Sequence, residues 1–207
     1  MTRTTLDTGA IEVLADSYAG RPLVGPDAVT IDSKGLLYFT EPYGGHVYRI
    51  DAPGQVVRIL EAHAVRSPNG IQISPDDRTL YLVESGRGPT DRREIRAFDL
   101  APDGSVSNPR THYNFFPGRS ADGLSIDVDG NIYASAGLNE VRGTSETLDT
   151  RTGVYVISPA GRLLRFIPIA EDLISNNGFG GPDMKTPFIT AGKTLFKART
   201  GVAGLPR

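Results

Sequence analysis

Apolar residues in this chain come in short alternating runs broken by glycine, proline and aspartate, the period-2 signature of β-strands. Three segments superpose without gaps at their starts: Asp27-Ala-Val-Thr-Ile-Asp-Ser-Lys-Gly-Leu-Leu-Tyr-Phe, Asn69-Gly-Ile-Gln-Ile-Ser-Pro-Asp-Asp-Arg-Thr-Leu-Tyr and Asp122-Gly-Leu-Ser-Ile-Asp-Val-Asp-Gly-Asn-Ile-Tyr. Each holds a short polar residue, an alternating strand, a polar turn and a second strand carrying a tyrosine. A looser fourth copy starts at Asn176. The starts lie 42, 53 and 54 residues apart (69−27, 122−69, 176−122). Blades of four strands repeat at about 40–50 residues.

The remainder of each unit repeats as well. A third strand (residues 47–51, 95–100 and 154–158) leads to a glycine turn at Gly54, Gly104 or Gly161, then to a fourth strand. Glycine takes the positive φ of such hairpins without steric cost. The unit is therefore a four-stranded meander, and no segment predicts a long helix. An open meander or a two-layer sandwich would also accommodate such strands. Equal four-stranded repeats are better explained by radial stacking, which buries both faces of each sheet. The expectation is an all-β β-propeller in a single domain over residues 1–207, with about four and a half blades. Thr2–Tyr18 reads as the outer half of a preceding unit, and the segment from Lys193 onward as a third strand and a tail. A ring left open would expose sheet edges, so oligomers through those edges are expected.

Composition narrows the partners. With 22 basic and 24 acidic residues well mixed, the net charge is −2, which argues against a nucleic-acid grip or an anionic-membrane surface. There is no cysteine, so disulfides and thiolate chemistry are excluded. No apolar run approaches the ~18 residues of a membrane span. Met1–Ala10 lacks the apolar stretch of a signal peptide, and the expected compartment is the cytoplasm.

Asp27, Asn69, Asp122 and Asn176 share one column of the repeat, at the start of the innermost strand. In a propeller those starts converge on the axis, which would gather four carboxylate or amide oxygens suited to a hard cation such as Ca2+. Any one of them could instead be an ordinary strand-entry residue bonding its own backbone. The acidic turn residues Asp51, Asp76, Asp77, Asp99, Asp103 and Asp129 read as solvated. His46, His63 and His112 have no metal-ligand spacing and read as surface loop residues. No Gly-x-Ser-x-Gly motif occurs, and Gly178-Phe-Gly-Gly-Pro reads as a turn because no helix follows it.

Ser67-Pro-Asn-Gly-Ile-Gln-Ile-Ser-Pro-Asp-Asp, Ala121-Asp-Gly-Leu-Ser-Ile-Asp-Val-Asp-Gly, Phe179-Gly-Gly-Pro-Asp and Leu36-Leu-Tyr-Phe-Thr-Glu-Pro-Tyr-Gly together resemble the senescence-marker-protein/gluconolactonase/luciferin-regenerating-enzyme family. The resemblance runs from about Thr2 to Pro206. It implies a six-bladed type of propeller that hydrolyses sugar-acid lactones with a central divalent cation, Ca2+ or another such as Zn2+, Mg2+ or Mn2+. By the same resemblance Asn69, Asp122 and Asp27 are metal ligands, Asp122 is the catalytic base, and Asp27 and Asn176 contact a small-molecule lactone. The chain departs from the pattern in three places: nothing matches the family's first-blade glutamate, Asp27 replaces an asparagine, and Pro187 replaces an apolar strand residue. The missing glutamate makes the chain read as an N-terminally truncated family member. The alternative is a non-catalytic propeller that acts as a binding module.

Overall fold

A computed structural model describes residues 1–206, and no helix occurs among them. Two small hairpins open the chain, β1 (Thr2–Thr4) with β2 (Ile11–Val13) and β3 (Ser17–Tyr18) with β4 (Arg21–Pro22). The first blade is β5 (Val29–Ile31), β6 (Leu37–Glu41), β7 (His46–Ala52) and β8 (Gln55–Leu60). The second is β9 (Pro68–Ile73), β10 (Thr79–Ser85), β11 (Arg93–Leu100) and β12 (Val106–Asn114). The third is β13 (Ala121–Ile126), β14 (Ile132–Ala136), β15 (Gly153–Ile157) and β16 (Leu163–Pro168). A fourth blade has three strands, β17 (Ile174–Gly180), β18 (Thr186–Ala191) and β19 (Thr194–Lys197). Every pairing is antiparallel between sequence neighbours, as a meander requires. The chain is thus a β-propeller arrangement built from the repeat the sequence displays.

The core lies in the seams between blades. Tyr38 and Val47 of the first blade meet Ile71, Ile73, Leu80 and Leu82 of the second. Val83 and Ile95 of the second meet Leu124, Ile126, Ile132 and Ile157 of the third. Tyr133, Val154 and Val156 of the third meet Ile174 and Ile189 of the fourth. Leu14 and Ala15, beside the first hairpin, cover Phe39, Tyr48 and Ile50. Each large apolar side chain so buried contributes roughly 1.5–3 kcal/mol. In the second and third blades apolar positions point to both faces because a blade packs on either side, whereas the fourth blade packs on the third alone and leaves Phe188 and Leu195 exposed.

The turns between first and second strands use an inward carboxylate. Asp32 accepts the N–H groups of Lys34 and Leu36 at 2.9 Å each and the Tyr38 hydroxyl at 3.3 Å. Asp127 repeats the device with Asp129, Asn131 and Tyr133. The tail folds back under the third blade: Leu205 donates to the Ile126 carbonyl at 2.9 Å and Val128 to the Ala203 carbonyl at 3.0 Å. Pro187 sits near the start of β18, opposite Phe179, and the ladder continues past it.

Two histidines differ from the surface-loop expectation. His46 opens β7 and His112 lies in β12, while His63 is the exposed one. The His112 ring packs 4.9 Å from the Tyr81 ring, with a buried Nε2 that has no hydrogen-bond partner among the described residues. Burial lowers its pKa, with Arg110 acting in the same direction and a backbone hydrogen bond at Ser158 opposing. A histidine whose folded pKa is depressed contributes stability that is complete above its unfolded value, about 6.5, and is lost as pH falls through the folded value. Denaturant midpoints of the wild type should therefore drop more steeply than those of His112→Leu as pH falls below the unfolded value of about 6.5. Parallel curves would show that the ring is solvated.

Candidate functional site

The four column residues stand where the innermost strands begin. Asn69 is in β9, Asp122 in β13, Asn176 in β17, and Asp27 lies two residues before β5. The inner strands approach so closely that a Cβ at Gly70 would overlap the Asp122 carbonyl oxygen. A Cβ at Gly123 would overlap the Asn176 side chain. The glycine after Asn69 and after Asp122 is therefore a steric necessity of the convergence, not only a turn preference.

The structure brings Asp27, Asn69 and Asp122 into one charged neighbourhood. Burial raises the Asp122 pKa; the Arg119 guanidinium lowers it, the Asp27 charge raises it further, and the Asn69 amide lowers it by hydrogen bonding. Asp27 is also raised, by partial burial. Asp27 and Asn69 line the same cleft of about 670 Å³, together with Tyr43, Ser85, Arg87 and Asp91. Asn176 lies against Gly123, and its Oδ1 accepts the Asn177 N–H at 2.8 Å. Below this ring a second polar tier faces the axis. Thr30 donates to Gln72 Oε1 at 2.5 Å, and Ser125 donates to Asn177 Oδ1. Those four residues line a central channel of about 410 Å³.

Arg119 is a residue that sequence reasoning missed. Its Nη2 donates to Asp122 Oδ2 at 2.8 Å, and its Nη1 donates to the Ile174 carbonyl at 3.0 Å. It orients the Asp122 carboxylate and ties β13 to the start of β17. The only sequence signal was a basic residue three places before the aspartate.

Among the described residues no three His, Asp or Glu side chains cluster as a metal cage. The donors available for a cation are the carboxylates of Asp27 and Asp122 and the amide oxygens of Asn69 and Asn176. This oxygen-only set has the chemistry of a hard cation, and the Asp27 charge bearing on Asp122 is what such a cation would relieve. Arg119 engages Asp122 Oδ2, and the Asn69 amide is the carboxylate's second hydrogen-bonding neighbour.

A propeller whose axis carries this Asp and Asn column defines a class: residues 1–193 match the SMP-30/Gluconolactonase/LRE-like region, and the chain belongs to that family. A gluconolactonase of Zymomonas mobilis is 28% identical over 93% of the chain and 55% of its own length. A lactonohydrolase of Aspergillus oryzae, oryH, is 28% identical over 97% of the chain and 44% of its own length. The chain thus spans about half the length of these curated relatives. The solved gluconolactonase of Xanthomonas campestris superposes with a TM-score of 0.74 at 26% identity, over 99% of this chain and 65% of that one. Regucalcin of Agrobacterium tumefaciens, at 17% identity and a TM-score of 0.73, shares the fold.

Gly70→Ala should cost about 1–3 kcal/mol of stability by overpacking the axis. Gly54→Ala is the comparison for close approach, because nothing lies within 4 Å of a Cβ there although its φ is +76°. Urea melts decide: an unaffected Gly70→Ala would mean that the inner strands can separate freely.

Proposed function

We propose that the chain carries the active site of a lactonase for sugar-acid lactones and that it works with a divalent cation, Ca2+ first. The observation that supports this most directly is Asp122 held by Arg119 beside Asp27 and Asn69, the latter two lining an open cleft. Asp27, Asn69 and Asp122 would hold the cation, and Asn176 stands next to them for the substrate. Bound there, the cation supplies Lewis-acid polarisation of an ester carbonyl and lowers the pKa of water.

The chain's own residues do the rest. Asp122, held by Arg119, takes the proton from the attacking water as the general base. Arg119 keeps Asp122 in place while it is charged. Asn69 contributes a neutral oxygen, so the site does not gather a third negative charge. Asp27, where the family has asparagine, supplies the second carboxylate, and it is the group proposed to compensate for the unmatched glutamate. Tyr43, 85% exposed, forms an open wall of the cleft against which a sugar ring can rest.

The test is hydrolysis of gluconolactone with Ca2+ and with chelator, by the wild type and by Asp122→Ala. Loss of a general base costs typically 10²–10⁴-fold. We expect a Ca2+-dependent rate in the wild type and a fall of about that size in the variant. Equal rates in all four mixtures would overturn the proposal and favour a propeller that only binds.

A further inference from the structure

Arg93 is 1% exposed and has no carboxylate partner among the described residues. Burying a guanidinium is costly unless every donor is used. All five N–H groups are used: Nε on the Gly86 carbonyl at 2.9 Å, Nη1 on the carbonyls of Pro117 and Ser145, and Nη2 on the Gly88 carbonyl and the Ser145 hydroxyl. The Ser145 hydroxyl in turn donates to the Arg87 carbonyl at 2.7 Å. Three successive carbonyls, of residues 86, 87 and 88, are therefore fixed by one buried cation, two directly and one through a hydroxyl. The Asp91 carboxylate closes the loop by accepting the Gly88 N–H at 2.8 Å.

Gly-Arg-Gly would otherwise be among the most mobile sequences a loop can have. Here it is held still, and the side chain it presents, Arg87, is exposed, makes no ion pair among the described residues and lines the cleft that contains Asp27 and Asn69. Its neighbour Asp91 lines the same cleft but is committed to the loop backbone. A guanidinium carried on a fixed backbone at the rim of a polar cleft is a recognition element for an anion, because the loop's share of the ordering cost is met before the ligand arrives.

We infer that Arg87 is a specificity residue and that the site prefers lactones bearing a second anionic group, a carboxylate on the carbon chain, over neutral ones. This rests on the lactonase reading above. The carboxylate meets the Arg87 guanidinium while the lactone carbonyl faces Asp122 and Asn69.

The test compares kcat/KM for glucarolactone, which carries the terminal carboxylate, with that for gluconolactone, which does not. The wild type should favour glucarolactone. Arg87→Gln should lower the glucarolactone-to-gluconolactone ratio about tenfold, the worth of one charged hydrogen bond, with the change in KM. Arg3→Gln makes the same charge change on the first hairpin and should leave the ratio alone. High salt should shrink the wild-type preference. A ratio equal in wild type and Arg87→Gln, or an equal fall in Arg3→Gln, overturns the inference while leaving the lactonase reading intact. No hydrolysis of either lactone by the wild type overturns the lactonase reading, and the inference falls with it.

Discussion

Close approach of backbones at the axis is the constraint on which the rest depends. Four inner strands can converge only where no Cβ stands between them, and Gly70 and Gly123 supply that clearance. Once the strands converge, the polar residue before each glycine has to face its counterparts, and two carboxylates share a neighbourhood that would otherwise be repulsive. The apolar seams between blades pull each sheet towards its neighbour, while the glycines let the inner edges yield. Packing and chemistry are therefore products of one geometry.

Much of this was legible along the chain, because a repeat states its own register. Aligning Asp27, Asn69 and Asp122 puts equivalent residues at equivalent depths, and the strands fall where the alternation says. The inner strands of the second, third and fourth blades share a register shift near their starts, and in the fourth it is Asn177 that turns into the channel and donates to the Tyr133 carbonyl and the Ser135 hydroxyl. Residue type does not tell which of two adjacent asparagines turns inward, so the sequence column holds Asn176 and leaves Asn177 out.

What the sequence did not show is the role of individual charges. Arg93 and Arg119 look alike on paper, yet one holds loops and the other holds a carboxylate, and both act through carbonyls that lie 52 to 55 residues away. Asp76 and Asp129 stay exposed in their turns, whereas the buried carboxylates of Asp32 and Asp127 face inward and reach a tyrosine hydroxyl as well as backbone N–H groups. Exposure depends on which way a turn residue points, and a pattern of residue types carries no such direction.

The web around Arg93 bears on how this protein could be altered. Segments of the second blade and of the third meet on one guanidinium, so the two rims move as a single block. A loop transplanted from a relative into one of them would arrive without its counterpart and leave several N–H groups facing nothing. Redesign of the mouth would have to exchange both segments together with the cation beneath them, since a change in either alone strips acceptors from a buried guanidinium.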